Sequence, residues 1–282
     1  MTTFLKMHGL GNDFVIFDGR TFPVPVDPAS ARAIADRKRG IGCDQVIVME
    51  PAKNGFAAFM RIFNADGGEV ESCGNAARCV GFLLMAERET DSIQIASTGG
   101  PLFCQMAGDE AVTVDMGVPH LDWREIPMTQ AVDTQSFVLD VPGFSEPALQ
   151  TAAAVSVGNP HCVLFVKDAE TAPVASLGSA IEHHPWFPSR TNVEFVSLRG
   201  ENILRMRVWE RGAGITLACG TGACAAAVAA AARGLTGRKV KLILDGGTLE
   251  IEWRESDGHV LMTGPTRFSF AGEVSIPGLV EQ

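Results

Sequence analysis

Two distant stretches of the chain begin alike. ESCGNAARC, residues 71 to 79, and LACGTGACA, residues 217 to 225, each place a Cys-Gly pair before a helix-like run. The same offset of 146 residues aligns RIFNADGG (61 to 68) with RVWERGAG (207 to 214). A shared order of segments indicates that one unit of roughly 115 residues has been duplicated. This duplication constrains the fold more strongly than composition does.

Further segments agree at an offset of 147 residues. GNDFVIF (11 to 17) aligns with GNPHCVL (158 to 164), and Gln45-Val46 aligns with Asn192-Val193. Two copies predict two similar domains that face each other across a cleft, because a solenoid requires more repeats.

Local patterns predict the same elements in each copy. Asp27 and Pro28 are typical of a helix cap and first helical residue, and the helix they begin is expected to end near Gly40. The second Cys-Gly stretch has small apolar residues on every side, which predicts a helix buried all round. The chain is therefore expected to be α+β, with two pseudo-twofold-related domains, each a barrel-like β-sheet shell around a central helix.

The composition of the chain limits the classes of binding partner that can be expected. The chain carries 33 acidic and 23 basic side chains, for a net charge of -10. No stripe of Lys and Arg is present, so nucleic acid and anionic membranes are not expected as partners. The N-terminus lacks a signal-peptide pattern, and seven cysteines do not suggest a disulfide framework. We expect a cytoplasmic protein with reduced thiols and no metal.

The paired cysteines predict a chemistry. A cysteine in the first turn of a helix lies among unsatisfied backbone N–H groups, which favour the thiolate and lower its pKa below about 8.5. The same N–H groups bind a carboxylate. One such thiol would be a nucleophile or a redox group. Two of them, Cys73 and Cys219, facing one cleft, favour removal of a proton from one face of a carbon and delivery to the other.

The other cysteines are expected to have a structural role. A buried cysteine usually acts as a small apolar side chain. The five cysteines outside the duplicated pair are therefore predicted to lie in the core, and they are Cys43, Cys79, Cys104, Cys162 and Cys224.

Polar side chains also recur in pairs at the ends of predicted strands. Each alone is typical of a turn or an edge. Together with Arg211, the pairs predict a cleft lining that recognises several charged groups. The pairs are Asn12 with Asn159, Gln45 with Asn192, and Asn64 with Glu210.

These motifs resemble a known family. ESCGNAARC and ERGAGITLACGTGACAA, together with HGLGNDF, GCDQ, FNADG, GNPHC and TNVEF, resemble the motifs of diaminopimelate epimerases, in the same order. The resemblance extends from Lys6 to about Pro265. It implies an isomerase that interconverts LL- and meso-diaminopimelate without pyridoxal phosphate, other cofactors or metal, in lysine and peptidoglycan precursor biosynthesis.

The resemblance also implies residue roles. Cys73 and Cys219 would be the catalytic acid/base pair, and His161 would either support the site or be a structural histidine at a strand edge. Backbone amides at the two helix starts would hold the carboxylate of the reacting centre, and the remaining residues would bind the substrate. The implied substrate-binding residues are Asn12, Gln45, Asn64, Gly74, Asn75, Asn159, Asn192, Glu210, Arg211, Gly220 and Thr221.

The family fold adds further expectations. Each domain would contain a mixed sheet, the first spanning residues 1–118 and the second 119–265, with the active site in the cleft between them. Residues 266–282 would cross back to the first domain, and the chain would form a homodimer. Three departures stand out: Ile215 replaces a frequent Glu, Ala76 replaces a common Gly, and the chain has no tyrosine for any family contact that uses one.

Four alternatives remain open. A proline or hydroxyproline racemase typically has a His after the first Cys-Gly, where this chain has Asn75. A PhzF-like isomerase is not expected to keep both cysteines. A thiol-redox protein would use Cys73 and Cys219 as a reversible disulfide. A purely structural protein would not require the duplicated polar clusters to lie close together.

Overall fold

The structure, a computed structural model, describes residues 1–71, 73–144 and 151–275. The chain divides into two units. Unit 1 consists of Met1–Val114 and the segment that starts at Thr263, and unit 2 consists of Asp115–Met262.

The described residues of unit 1 form two helices and a set of strands that make a mixed sheet. The helix α2 packs against β1, β6 and β7, with its first two turns buried. The elements are β1 (Thr2–Gly9), β2 (Asn12–Asp18), α1 (Pro28–Ala35), β3 (Gln45–Glu50), β4 (Phe59–Asn64), β5 (Glu69–Val70), α2 (Gly74–Arg88), β6 (Ser92–Ser97), β7 (Gly100–Met106) and β8 (Ala111–Asp115).

Unit 2 has the same kinds of element in the same order. Its helix α4 packs against six strands of its own unit. The elements are β9 (Phe137–Val138), β10 (Thr151–Ser156), β11 (Pro160–Phe165), α3 (Val174–Glu182), β12 (Asn192–Gly200), β13 (Ile203–Glu210), β14 (Gly214–Thr216), α4 (Gly220–Ala232), β15 (Lys239–Leu244), β16 (Gly247–Trp253) and β17 (Val260–Pro265), which continues into unit 1 from Thr263.

Strand pairing repeats between the units. In unit 1, β1 is antiparallel to β2, β2 is parallel to β3, and β3 is antiparallel to β4. In unit 2, β10, β11, β12 and β13 follow the same sequence of directions. The next strands agree too, since β4 is parallel to β6 and β13 is parallel to β15. The predicted α+β fold of two duplicated units with mixed sheets is confirmed.

The alanine-rich helix α4 is buried on all sides. Every residue from Gly222 to Ala230 is buried, including Cys224 and Val228. Small side chains allow strands to approach a helix closely, so this segment packs tightly against the six strands around it. The prediction of a helix buried all round is confirmed.

The first helix is shorter than predicted. Its start is confirmed, because the Asp27 carboxylate accepts a hydrogen bond from Ser30 N and Pro28 is the first helical residue. Its end was predicted near Gly40, but α1 ends at Ala35. Asp36 leaves the helical conformation, with a ψ of 115°, and its carboxylate accepts hydrogen bonds from Lys38 N and Arg39 N. This local side-chain turn competes with continuation of the helix.

The last described strand, β18 (Arg267–Val274), belongs to unit 1. It pairs antiparallel with β1, with a register shift between Lys6 and Met7. The end of the segment expected to cross back, residues 276–282, lies outside the described residues. No helix in the described ranges is long and apolar enough to cross a membrane.

Candidate active site

Cys73 occupies the position immediately before helix α2. Its backbone is extended, with φ of -148° and ψ of 112°, and its Sγ atom accepts a hydrogen bond from Ala76 N at 3.5 Å. The thiol therefore caps the helix N-terminus, where N–H groups have no partner within the helix. Gly74 and Asn75, the first two helical residues, are buried beside it.

Cys219 occupies the same position before helix α4. Its φ and ψ are -122° and 111°, and its Sγ atom accepts a hydrogen bond from Gly222 N at 3.4 Å. The Thr221 hydroxyl lies 3.6 Å from the same sulfur. Gly220 and Thr221 begin the helix, as Gly74 and Asn75 do in unit 1. Both cysteines thus head a helix, as the duplicated motif predicts.

The protonation of Cys219 differs from the expectation. The helix start was expected to lower its pKa, but burial raises the pKa of this thiol well above its usual value. The nearby carboxylates of Glu210 and Glu194 raise it further, and the hydrogen bonds from Thr221 and Gly222 N only partly offset them. Only 5% of the residue is exposed, so the increase in pKa caused by lost hydration exceeds the decrease caused by the helix N-terminus. Cys219 is therefore a thiol at neutral pH in the free protein.

The remaining cysteines outside the pair are in the core, as predicted, and each is buried. Burial raises the pKa of Cys43, Cys79 and Cys104 to about 12. The pKa of Cys162 is also raised well above its usual value by burial. Thiols of this kind have little nucleophilic or acid/base activity near neutral pH.

Glu210 is a partly buried carboxyl group at the end of β13. Burial raises its pKa above the usual range, although a hydrogen bond from the Thr216 hydroxyl lowers it in part. The negative charge of Glu210 raises the pKa of Cys219, whereas a hydrogen bond from the Cys219 thiol lowers the pKa of Glu210 in part. A proton held on Glu210 would relieve this repulsion when the thiol ionises.

His161 and Glu194 form a buried pair beside the same helix start. His161 Nδ1 lies 2.7 Å from Glu194 Oε1, and both side chains are fully buried. The other ring nitrogen, Nε2, lies 3.0 Å from Asn159 Oδ1. An added Cβ at Gly222 would lie 2.7 Å from Glu194 Oε1, so the helix start and this carboxylate are in close contact. Glycine at 222 is what permits that approach.

Neutral amides cluster near Cys73 in unit 1. Asn75 Nδ2 donates to Asn12 Oδ1 at 3.1 Å, and Gln45 Nε2 donates to Asn64 Oδ1 at 2.9 Å. Asn12 follows Gly11, whose φ of 85° gives the left-handed turn between β1 and β2. Asn75 Oδ1 and Gln45 Oε1 are buried without a hydrogen-bond partner in the described part of the chain. Such acceptors favour a ligand that carries N–H groups.

Charged side chains support this amide cluster. Asn12 Nδ2 donates to Asp44 Oδ2 at 3.0 Å, and Arg37 bridges Asp44 and Asp13 at 2.7 Å each. Lys6 Nζ contacts Asp13 Oδ2 at 2.6 Å. Burial by itself would raise the pKa of Asp13, but the hydrogen bonds and charges of Arg37 and Lys6 bring it to about 2. Asp13 is therefore ionised at neutral pH, and the hydrogen bond to Asp44 fixes the orientation of the Asn12 amide.

The substrate-binding candidates of unit 2 lie around the turn after β13. Asn192 Oδ1 accepts a hydrogen bond from Arg211 N at 2.8 Å, and Arg211 NH1 donates to Ser189 O at 3.0 Å. Asn159 lies next to His161, which pairs with Asn192 between β11 and β12. The structure thus groups Asn192 with Arg211, and Asn159 with His161.

One residue of the site, Glu194, was not predicted from the sequence, although a lone charged residue inside the apolar strand NVEFVSL was a usable signal. Ala76, one of the departures from the family pattern, is fully buried in the first turn of α2, whereas Ile215 is exposed on β14. No cluster of His, Cys, Asp and Glu in residues 1–71, 73–144 and 151–275 has the arrangement of a metal site.

Comparison with known proteins gives consistent likenesses. A family model described as diaminopimelate epimerase matches residues 4–121 and 153–269. A diaminopimelate epimerase from Rhodospirillum centenum is 52% identical over 279 residues, covering 98% of this chain and 94% of that protein. One from Phenylobacterium zucineum is 53% identical over 272 residues, covering 96% and 97%. The solved structure of a predicted epimerase from Pseudomonas aeruginosa has a TM-score of 0.69 at 18% identity, covering 97% and 99%, which supports the fold alone.

Proposed function

The chain belongs to the diaminopimelate epimerase family, and from that premise we propose that it interconverts LL- and meso-diaminopimelate by proton transfer between the substrate α-carbon and Cys73 and Cys219. The protein is accordingly an isomerase. Its reaction serves lysine biosynthesis and the supply of a peptidoglycan precursor.

The observation that carries the proposal is the matched position of two thiols at two helix starts. Each Sγ atom accepts a hydrogen bond from the backbone N–H three residues later, at 3.5 Å for Cys73 and 3.4 Å for Cys219. A redox pair or a structural pair of cysteines does not require this matched capping. An acid and a base that exchange roles work best when their pKa values are similar, and two thiols at equivalent helix starts suit this requirement.

The reaction uses both thiols once in each turnover. The thiolate of one cysteine removes the α-proton from one face of the substrate, and the electron pair remains on the α-carbon and its carboxylate. The thiol of the other cysteine then delivers its own proton to the opposite face, which inverts the centre. The protein ends with the proton on the first sulfur and the thiolate on the second, so the reverse reaction starts directly from that state.

Cys219 is assigned as the acid when the free protein first binds substrate. Burial and the carboxylates of Glu210 and Glu194 raise its pKa, which keeps it protonated at neutral pH. Cys73 would then act as the base. For the opposite direction, Cys219 must ionise, and a proton held on Glu210 would remove the charge repulsion that opposes this ionisation.

The remaining polar groups would bind the substrate. Backbone N–H groups of the first turns of α2 and α4 favour the carboxylate of the reacting centre. Arg211 suits the distal carboxylate, and the buried acceptors Asn75 Oδ1 and Gln45 Oε1 suit an ammonium group. A substrate with two carboxylates and two ammonium groups needs both kinds of partner. We propose that Cys73 and Cys219 reach opposite faces of one α-carbon.

An epimerisation assay tests the function. Purified protein incubated with LL-diaminopimelate, without added cofactor, is expected to produce the meso isomer until the two reach a constant ratio. Proline and hydroxyproline serve as control substrates and are expected to keep their configuration. Racemisation of proline without turnover of diaminopimelate would favour a proline racemase. Inactivity towards all three, with a reversible Cys73–Cys219 disulfide, would favour a thiol-redox protein.

A homodimer is proposed as the working form. Phe268 and Phe270 alternate along β18, so they project from the same face, and they are 57% and 47% exposed. Exposed aromatic residues on one strand face are typical of a protein contact. The proposed occupant is a second copy of the chain, in keeping with the family. A cytoplasmic location is also proposed, because Cys73 and Cys219 must stay reduced to exchange protons.

The dimer is tested by light scattering coupled to size-exclusion chromatography. The wild type is expected at twice the chain mass of 30.0 kDa, and Phe268→Glu is expected to shift it towards the monomer because a carboxylate in the contact would be desolvated. Phe103→Glu is a matched control, since Phe103 is exposed on β7, away from β18. A wild type that is monomeric at micromolar concentration would contradict the proposed dimer.

A further inference from the structure

A buried carboxylate lies at the end of helix α3, outside the set of residues assigned above. Glu182 is the last residue of α3 and is only 2% exposed. Taking a carboxylate out of water is costly unless hydrogen bonds or opposite charges compensate. Its partners therefore indicate what the residue is for.

Three donors converge on Glu182. Trp209 Nε1 donates to Oε2 at 2.7 Å, Gly212 N donates to Oε1 at 3.0 Å, and Arg190 NH1 lies 3.5 Å from Oε1. Burial would raise the pKa of Glu182, but the hydrogen bonds from Trp209 and Gly212 N and the charges nearby hold it below the usual value. Glu182 is thus an anion that satisfies both of its oxygens with groups around one turn.

That turn joins β13 to β14 and carries two site residues. Glu210 pairs with Gly214 across the hairpin, and Ala213 N donates to Glu210 O at 3.1 Å. Gly212 has a φ of 75°, a conformation that favours glycine. The turn therefore has one defined shape, in which Glu210 is the last residue of β13 and Arg211 is the first residue of the turn.

Side chains from two different elements hold consecutive backbone N–H groups of this turn. Asn192, at the start of β12, accepts from Arg211 N at 2.8 Å, and Glu182 accepts from Gly212 N at 3.0 Å. Fixing two successive peptide groups fixes the direction in which the Arg211 side chain leaves the backbone. Asn192 alone would leave the turn free to pivot about Arg211.

The surface of α3 is shaped for the same contact. Gly178 precedes Glu182 by four residues, so both lie on one face of the helix. A Cβ at Gly178 would lie 2.5 Å from Trp209 Cβ, so the indole packs directly on the helix backbone. The helix thus holds Trp209 through packing at Gly178 and a hydrogen bond at Glu182.

We infer that Glu182 is a positioning residue of the substrate site. By anchoring the turn between Glu210 and Gly214, it orients Arg211 towards the distal carboxylate of the substrate. The inference rests on the proposed function, because it assigns Arg211 to the end of diaminopimelate that does not react. Glu182 itself does not touch the reacting atoms.

Glutamine at position 182 is the sharpest variant. It keeps the size of the side chain but has only one acceptor oxygen, and its amide N–H groups would face one of the two donors, Trp209 Nε1 or Gly212 N. One buried donor would lose its partner. Because Arg211 binds the distal end equally in the ground state and the transition state, loosening it should raise KM and leave kcat nearly unchanged.

The expected result for Glu182→Gln is a roughly tenfold rise in KM for LL-diaminopimelate, with kcat within about threefold of the wild type. Trp209→Phe, which removes one donor and keeps an aromatic ring, is expected to raise KM by a smaller factor. Glu170→Gln is the control, because Glu170 is an exposed carboxylate bound to Arg205 elsewhere in unit 2. The indole N–H resonance of Trp209, measured by NMR without substrate, should move in Glu182→Gln and stay in Glu170→Gln.

The outcomes separate the inference from the function. An active wild type whose KM is unchanged in Glu182→Gln would overturn the inference and leave the function standing. A fall in kcat at constant KM, in proportion to a lower folded fraction, would show a merely structural role and would also overturn it. A wild type without epimerase activity would contradict the proposed function, and the inference would fall with it.

Discussion

Serine in place of either Cys73 or Cys219 is expected to lower kcat by about 10³-fold or more while the protein stays folded. A thiol can both give and accept a proton near neutral pH, whereas a hydroxyl group holds its proton too tightly to serve as the base. Serine is also a good helix cap, so it can replace the Sγ hydrogen bonds to Ala76 N and Gly222 N. The loss should therefore be one of chemistry and not of folding.

The double variant gives a second check on the same prediction. Each turnover needs both thiols. The loss of kcat in the double variant, Cys73→Ser with Cys219→Ser, should therefore be about as large as in either single variant and should not equal the product of the two single losses. Cys224→Ala is the matched control on helix α4, since Cys224 lies among buried alanines. Steady-state kinetics with thermal denaturation measure both effects. A single serine variant that keeps a tenth or more of wild-type kcat would contradict the assignment of that cysteine.

Alanine at position 222 is expected to lower kcat roughly 10- to 100-fold. Helix propensity alone predicts that Gly222→Ala stabilises the protein, because alanine favours a helix over glycine by about 1 kcal/mol. The contacts of the added Cβ predict a disturbed site instead. The added Cβ would lie 2.7 Å from Glu194 Oε1 and 3.2 Å from Cys219 Sγ, so the carboxylate or the helix start must move. The Gly222 N–H that caps the Cys219 sulfur would move with it.

Gly200→Ala is the control for that substitution. A Cβ at Gly200 would meet Ile203 Cδ1 at 3.6 Å, an ordinary van der Waals distance, and Gly200 ends β12 in the same unit. Its kcat should match the wild type. Kinetics and chemical denaturation of both variants are the measurements. A Gly222→Ala protein that is more stable and fully active would show that Glu194 does not pack against the helix start as described.

The sequence predicted the location of the two thiols because the signal there is local. A Cys-Gly pair before a helix-like run is a capping pattern, and its repetition at an offset of 146 residues distinguishes Cys73 and Cys219 from the other cysteines. The same duplication predicted the repeated strand order, and the family resemblance is confirmed by the match over both halves of the chain.

The protonation of Cys219 could not be predicted in the same way. The sequence shows the helix start, which favours the thiolate, but it does not show that Glu194 and Glu210 come from two other strands to lie beside the sulfur. Burial and these charges depend on tertiary contacts between residues far apart in the chain. A local rule therefore gave the wrong direction for the pKa.

Glu182 was missed for a related reason. In SLGSAIEHHPWFP it looks like an ordinary solvent-exposed residue at a helix end, and nothing local shows that Trp209 and Gly212 meet it. The end of α1 was misplaced because the side-chain turn at Asp36 was not recognised. Both errors concern hydrogen bonds that compete with or reach beyond the regular pattern of a helix.

Hydrogen isotope exchange tests the two-thiol account most directly. LL-diaminopimelate is incubated with the protein in deuterated water, and mass spectrometry follows both isomers during the first few per cent of conversion. Because the delivered proton comes from the thiol on the opposite face, the account predicts that the early meso product carries solvent deuterium at the inverted centre while the remaining LL substrate carries none. Early meso product that keeps the original hydrogen, or deuterium that enters the LL substrate as fast as the product, would contradict proton transfer by two separate thiols.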